Sequence, residues 1–430
     1  MIIVDKEIAK RIAEDRPIRV GMIGAGYSAK HIASQIINSF PGIHLVAIAN
    51  RTVSNAVDVL KIAGIDNIKE VKSASALEDV IKKRGYAVAG DAEVLFQTES
   101  IDAIIETTGE VEYGAWAAFN SIKAGKHTIV LNCEMDATVG PILKTYADKH
   151  RVIYSNSDGD EPGVARNLSR HVTTMGLEVV GAGNLKGFYD VHRTPDTQRE
   201  FAEANNQKPH MVTSFVDGTK LSMELNCLAN ASGFGVGKRG MYGPSCDDVR
   251  TCLEHFPEGA FQPGKGIVDF LLGASPYTGA FVIGHTEQPL KKEYLQYLKM
   301  GEGPFYVFYT PFHLPQLEIP ITVSRAVLCN DAAVTPLGKP YADAIAIAKR
   351  NLKAGETLDG IGGYTAYTLI DNYETCRNEN LLPMGLSEGC TMVKNVAIDT
   401  PITYNDVTLP HGRLIDRLRA ETNEVFPVQN

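Results

Sequence analysis

The chain has 430 residues, 44% apolar and 22% charged, with a formal net charge of −9. That is length enough for two or three hydrophobic cores, and the evenly spread acidic balance excludes a basic stripe for nucleic acid. No run approaches twenty uninterrupted apolar residues, which excludes a membrane span, and seven scattered cysteines without a C-x-x-C pair exclude a disulfide framework or zinc knuckle.

The first seventeen residues, MIIVDKEIAKRIAEDRP, read as an amphipathic lead-in helix. They lack the basic, apolar and small-residue order of a signal peptide. With the cysteine pattern, this places the chain in the reducing cytoplasm. Residues 18–155 then alternate short apolar runs with amphipathic stretches. Ile18–Ile23, His44–Ala49, Ala103–Glu106, Thr128–Leu131 and Val152–Ser155 are strand candidates. Lys30–Ser39, Tyr113–Ala124 and Pro141–His150 carry helical spacing, and the long stretch 73–100 adds a helix over Ala74–Arg84 with a small excursion. Strand and helix in alternation predict a parallel sheet covered on both faces.

From about Glu178 the texture changes. Strand-like runs at Val179–Ala182 and Val212–Val216, a glycine-rich segment over 233–243 and an aromatic run Phe305–Phe312 predict an α+β domain. From Ala332 short β-like pieces are punctuated by Gly, Pro and Asp, which predicts a small β-rich module. The fold expected is therefore α/β: an N-terminal Rossmann parallel sheet over 1–177, a central α+β catalytic and dimerisation domain over 178–330, and a β-rich C-terminal module over 331–430.

The strongest local signal is Gly24-Ala25-Gly26-Tyr27-Ser28-Ala29, directly after the first strand and opening a helix. Gly24 allows the tight turn and Gly26 the close approach of a pyrophosphate. Ala29 permits helix–strand packing, and the helix N-terminus receives negative charge. Where an NAD enzyme places an acid on the ribose diol, this chain has Asn50-Arg51-Thr52. A guanidinium there pairs with a 2′-phosphate, so the expected cofactor is NADP(H). Thr107-Thr108-Gly109 ends another strand at the same sheet edge and fits the nicotinamide ribose.

Two further strand ends deliver Asn132, Glu134 and Asp136, then Asp160 and Glu161. Such carboxylates share protons, orient a cation, hold a divalent metal, or simply cap helices. A reductase also needs a proton donor or clamp at the carbonyl oxygen, and lysine suits both roles. Lys186, after a strand-like run, ranks first. Lys220 in Asp217-Gly218-Thr219-Lys220 reads as a hairpin-turn lysine, and Lys265 lies between two glycines. His313 and Arg325 rank lower, since a single histidine beside aromatics is commonly a core residue.

Several motifs together carry a family resemblance. They are IGAG at 23–26, N-x-E-x-D-x-T-x-G-P from Asn132 to Pro141, GDEP at 159–162, FVDGTK at 215–220 and ANASG at 229–233, continuing with GMYGP at 240–244, GKGIVDF at 264–270 and PFHL at 311–314. In these the chain resembles homoserine-dehydrogenase-like oxidoreductases, and is most similar to 1-deoxy-D-xylulose 5-phosphate reductoisomerase-like (DXR-like) proteins. AKRNLKAGETLDGIGGY at 348–364 resembles the SAF, or β-clip, pattern. The resemblance implies an NADPH-dependent, often dimeric enzyme acting on a small phosphorylated, sugar-like carbonyl or alcohol, with isomerisation in DXR-like members. It also implies an assisting divalent cation. On the reading of the residues themselves, Asn132 belongs to the cofactor site, Asp160, Glu161 and Glu134 orient substrate or a Mg or Mn ion, and Lys220 and Lys265 are phosphate contacts. The lysine of the homoserine dehydrogenase Thr-Ala-Asn-Lys pattern is absent from Leu131-Asn132-Cys133-Glu134, which argues against that activity. Two alternatives stay open: an oxidoreductase on an amino-acid-derived semialdehyde or alcohol, and a non-catalytic protein that senses NADPH or binds carbohydrate. A homo-oligomer, in the first instance a homodimer, is expected, with no nucleic-acid or membrane partner.

Overall fold

The computed structural model describes residues 3–428. The chain forms two compact units. One runs to Asp160 and takes in Leu314–Thr335; the other comprises Glu161–His313 and everything from Pro336 onward.

In the first unit, helix α1 (Asp5–Ala13) leads into strand β1 (Ile18–Ile23), helix α2 (Tyr27–Ser39) and strand β2 (Ile43–Ala49). Helix α3 (Val53–Ile62), strand β3 (Ile68–Glu70), helix α4 (Ala74–Lys82), strand β4 (Tyr86–Ala89) and helix α5 (Glu93–Gln97) follow. Strand β5 (Ala103–Glu106), helix α6 (Val111–Lys123), strand β6 (His127–Val130), helix α7 (Cys133–His150) and strand β7 (Tyr154–Asn156) complete it. The seven strands lie in the order β3-β4-β2-β1-β5-β6-β7, and every pairing is parallel. Alternate residues feed two cores. Val20, Met22, Leu45 and Ile105 pack with Ile32 and Ile36 of α2 on one face, and Val46 and Ile104 pack with Leu77 and Leu95 on the other. Ile319 and Val323, on the Pro315–Cys329 helix, join the first of these cores. A parallel sheet buried on both faces is a doubly wound Rossmann arrangement.

The excursion expected over 73–100 contains the core strand β4, paired with β2 through Ala47↔Ala87 and its neighbours. Helix α7 starts eight residues ahead of the predicted Pro141. The Asn132 side chain caps it, its Oδ1 accepting from the Met135 N–H at 3.1 Å, and Pro141 lies inside the helix. An N-cap residue overrides the expectation that proline opens the helix.

The second unit begins with helix α8 (Glu161–Thr174) and strand β8 (Glu178–Lys186). Helices α9 (Pro195–Ala204), α10 (Pro209–Val216) and α11 (Thr219–Ser232) come next. Strands β9 (Ile267–Leu272), β10 (Ala280–His285) and β11 (Phe305–Thr310) then complete a mixed sheet in the order β11-β10-β8-β9. The run Val212–Val216, expected as a strand, is helical: Pro209 occupies the first turn, and Val212 is buried on one face of α10. Leu221, Leu225 and Leu228 repeat at helical spacing and bury α11 among Val268, Val282 and Tyr306.

The C-terminal strands β12 (Ala342–Ala348) and β13 (Ala366–Asn372) form an antiparallel pair that packs on α11. The Ser222 hydroxyl donates to the Thr368 carbonyl at 3.0 Å, and Asn230 Oδ1 accepts from the Tyr341 N–H at 2.7 Å. This part therefore belongs to the second compact unit rather than forming a module of its own. The boundaries differ accordingly from 177/178 and 330/331, falling at 160/161, 313/314 and 335/336. The expected outer limits, residues 1 and 430, lie outside the described residues. Among the described residues no helix is long and apolar enough to cross a membrane.

Candidate functional site

The first unit carries the dinucleotide-binding geometry. Gly24 sits at φ +107°, and a Cβ there would stand 2.9 Å from Thr107 Oγ1 and 3.0 Å from the Thr107 backbone. The turn therefore requires glycine twice over, for its left-handed backbone and for its contact with the loop after β5. Gly26 is the N-cap of α2, and a Cβ placed on it meets nothing within 4 Å. No side chain caps α2, and its first turn holds no acid. An exposed glycine before uncapped amide groups is what a pyrophosphate needs. Tyr27 is exposed, Ser28 half-buried and Ala29 fully buried against the sheet. Gln316 Nε2 reaches Ser28 Oγ at 3.4 Å.

Asn50 extends β2: its N–H donates to the Ala89 carbonyl at 3.0 Å, and its side-chain amide to the Thr52 carbonyl at 2.8 Å. That closes a turn in which Arg51 and Thr52 are exposed. At the end of β5, fully buried Glu106 shapes the Thr107-Thr108-Gly109 loop. Its Oε1 accepts from the Thr108 N–H at 2.7 Å and also from the Thr108 hydroxyl. Burial pushes the Glu106 carboxyl above its ordinary range. Sequence reading placed Glu106 at the end of the strand but gave it no role in holding the loop; the signal was an acid at the end of an apolar strand.

The acidic residues singled out in the sequence separate. Asn132 caps α7, and Glu134 is buried in its first turn, with the Cys133 thiol 3.4 Å from its Oε2. Asp136 accepts from the Tyr154 hydroxyl at 2.5 Å and from the Asn156 amide at 2.7 Å, which makes it a strut between α7 and β7. Asp160 is the last residue of the first unit's main segment and Glu161 the first of the second unit. Neither unit by itself, among the described residues, brings three metal-ligating side chains together. Glu134, Asp160 and Glu161, expected to hold Mg or Mn, therefore form no metal-ligating group within either unit among the described residues. Arg325 is buried and paired with Asp158 at 2.5 Å and Asp331 at 2.7 Å, a structural ion-pair cluster.

The second unit gathers polar side chains at one end of its four-stranded sheet. Asn184 and Lys186 are two residues apart near the end of β8 and so project from the same face. Register places Ala280, at the start of β10, opposite Asn184, and Leu272, at the end of β9, opposite Lys186. Thr310 ends β11 opposite Ala280. Asn184 Nδ2 donates to Glu224 Oε2 at 3.0 Å. Lys220 Nζ stands 3.3 Å from Glu224 Oε1, one helical turn earlier on α11. Glu224 is 1% exposed and Lys220 23%, so a buried carboxylate holds a half-buried lysine. Lys220 is therefore not a hairpin lysine. Gly218, in the left-handed conformation at φ +84°, caps α11, and Lys220 lies in its first turn. Lys186 is half-buried, with no ion pair among the described residues. Lys265 is exposed in a tight turn bridged by Gln262 and Lys265, away from this cluster in register. His313, ranked low from sequence, follows β11 by three residues and contacts both Thr278 and Glu161.

A family model described as "Oxidoreductase DRL, catalytic domain" matches residues 159–319. The stretch that holds this polar end is thus similar to an oxidoreductase catalytic domain. No curated protein matches the chain. Among solved structures, an NAD-binding oxidoreductase from Klebsiella pneumoniae is 18% identical, covers 41% of this chain and 44% of its own, and has a TM-score of 0.28. The present chain thus spans under half the length of that protein. A levoglucosan dehydrogenase in complex with NADH and levoglucosan is 11% identical over 74% of this chain and 91% of its own, at a TM-score of 0.42. A myo-inositol dehydrogenase from Lactobacillus casei in complex with NAD(H) and myo-inositol is 13% identical over 69% and 75%, at 0.37. At this distance they say nothing about the substrate. The family model ends at residue 319, so the SAF-like stretch 348–364 lies outside the matched segment.

Proposed function

We propose that the chain is an NADPH-dependent oxidoreductase that interconverts a carbonyl and an alcohol on a small, polar, sugar-like substrate. The observation that carries the reading is the Lys220–Glu224–Asn184 group beside Lys186, inside the segment similar to an oxidoreductase catalytic domain. Asn184 and Glu224 hold the Lys220 ammonium in place. Lys186 and Lys220 then bind and polarise the substrate oxygen, stabilising the negative charge that develops on it. Gly24, Gly26 and the open N-terminus of α2 would hold the nucleotide's pyrophosphate, Thr107–Gly109 its ribose, and Arg51 a 2′-phosphate. When bound, the nucleotide supplies or accepts a hydride.

Lys220 on α11 and Lys186 on the Asn184 face of β8 favour a substrate that also bears a phosphate, as the DXR-like resemblance implies. An absorbance assay at the nicotinamide band over paired phosphorylated and unphosphorylated ketoses and aldoses tests both levels. Turnover with the phosphorylated member only supports the finer reading. Turnover with both supports the oxidoreductase and removes the phosphate. No NADPH binding and no turnover overturns the proposal. The protein acts as a homodimer on this reading, and light scattering that shows a monomer at assay concentration overturns that part.

A further inference from the structure

Three residues at the same sheet end form a chain of their own. Thr278 immediately precedes Gly279, whose carbonyl accepts from the Leu185 N–H at 3.0 Å, so it flanks the end of β8 next to Lys186. Its hydroxyl lies 3.0 Å from His313 Nδ1. On the opposite side of the ring, His313 Nε2 lies 3.5 Å from Glu161 Oε2. Glu161 opens α8 and its side chain is 7% exposed, whereas His313 is 28% exposed. A carboxylate on the Nε2 side favours a proton on that nitrogen, and Nδ1 faces the threonine hydroxyl. A hydroxyl, an imidazole and a buried carboxylate in line are the parts of a proton relay. The partial exposure of His313 gives the imidazole access to solvent protons.

We propose that Thr278, His313 and Glu161 form the proton relay of the reaction; this rests on the oxidoreductase reading above. In the direction of reduction, the carbonyl carbon would take a hydride, which a bound nicotinamide nucleotide would supply, and the C=O π bond would break. The Thr278 O–H proton passes to the substrate oxygen as the imidazolium Nδ1–H proton passes to Thr278 Oγ1. The products are the alcohol, the oxidised nucleotide, an intact threonine hydroxyl and a neutral His313, which takes its next proton from water. Glu161 orients the ring and balances the imidazolium charge without itself giving up or taking a proton. Thr278 is the catalytic member, since it touches the substrate oxygen; His313 and Glu161 act through it. Lys186 and Lys220 keep the separate task of holding that oxygen.

The test uses the full-length enzyme and four variants, Thr278→Val, Thr278→Ser, His313→Asn and Glu161→Gln. The relay predicts that Thr278→Val and His313→Asn lower kcat about 10²- to 10⁴-fold with little change in KM or in the NADPH Kd. It predicts that Thr278→Ser recovers most of the rate. A limb of the kcat–pH profile in the histidine range should vanish in His313→Asn. Nitrogen-15 NMR of the imidazole supplies a readout that needs no turnover: His313 should hold one tautomer in the wild type, and lose that preference in Glu161→Gln. Wild-type turnover with kcat and pH profile unchanged in Thr278→Val and His313→Asn overturns the relay and leaves the oxidoreductase intact. Rate losses shared by Thr278→Ser, or matched by a fall in melting temperature, assign the residues a structural role and also overturn it. Absence of NADPH binding and turnover in the wild type removes the reading on which the relay rests.

Discussion

The candidate-site carboxylates of the two units are partnered differently, whereas Asp158 of the first unit forms a structural ion pair with Arg325. In the Rossmann unit, Asp136 is held by a tyrosine hydroxyl and an asparagine amide, and Glu106 by a threonine's backbone and hydroxyl. These donors are neutral, and the two acids fix a loop and a helix end. In the second unit, Glu224 faces a lysine and Glu161 a histidine, side chains able to bear a proton or a charge towards a substrate. Among these four acids, the two with neutral donors shape the backbone and the two facing a lysine or a histidine are placed beside groups that carry charge or protons; the buried Asp158–Arg325 pair shows that a cationic partner alone does not make a site. Sequence had grouped the acids by their place at strand ends, and the partners redistribute them.

Four substitutions break or sharpen that contrast. The largest effect is expected from Lys220→Met, which removes the cation and leaves Glu224 buried. It should lower kcat/KM about 10³-fold, or ~4 kcal/mol of transition-state stabilisation, with the NADPH Kd unchanged in a fluorescence titration. A change below threefold would place Lys220 with the structural pairs.

Asp269 supplies an internal control, because it lies in the second unit yet has partners of the first kind. The N–H groups of Tyr242, Gly243 and Phe270 donate to it at 2.8–2.9 Å. Burial nevertheless pushes its carboxyl from 3.8 up to about 6. The folded state then binds a proton more tightly than the unfolded chain. Its stabilising contribution is complete below about pH 3.8 and is lost as pH rises through about 6. Relative to Asp269→Asn, the wild type should lose on the order of 3 kcal/mol across that window in urea-unfolding series. Parallel curves for the two proteins would refute the assignment.

Asp136→Asn replaces one of two acceptor oxygens and should cost about 1–3 kcal/mol of stability by thermal unfolding, with kcat within twofold. A large kcat loss without destabilisation would move Asp136 to the chemical class. The smallest effect is Arg51→Ala. It should weaken NADPH about tenfold, ~1.4 kcal/mol, and leave NADH unchanged, as read by Kd for each nucleotide. Equal weakening of both would remove the 2′-phosphate contact.

The sequence by itself determined the doubly wound half of this protein. The strand Ile18–Ile23, the glycine turn at 24–26 and the strand Ala103–Glu106 are local patterns: an apolar run, a backbone conformation that glycine permits, a short connection. Such signals are written within a few residues and survive without knowledge of the rest of the chain. The short strand β4 escaped because four residues, Tyr86–Ala89, carry too little period to register, and its place in the sheet comes from pairing with Ala47–Ala49. Tertiary structure alone decided the chemistry of the second unit. Glu161 and His313 are 152 positions apart, and Thr278 is a further 35 from His313, so no spacing rule joins them. Lys220 changed from turn residue to part of a buried pair because Gly218 starts a helix and Asn184, 40 positions from Glu224, reaches that carboxylate. Function there depends on which side chains desolvate one another, and burial against distant neighbours is a property of the folded chain rather than of any window along it.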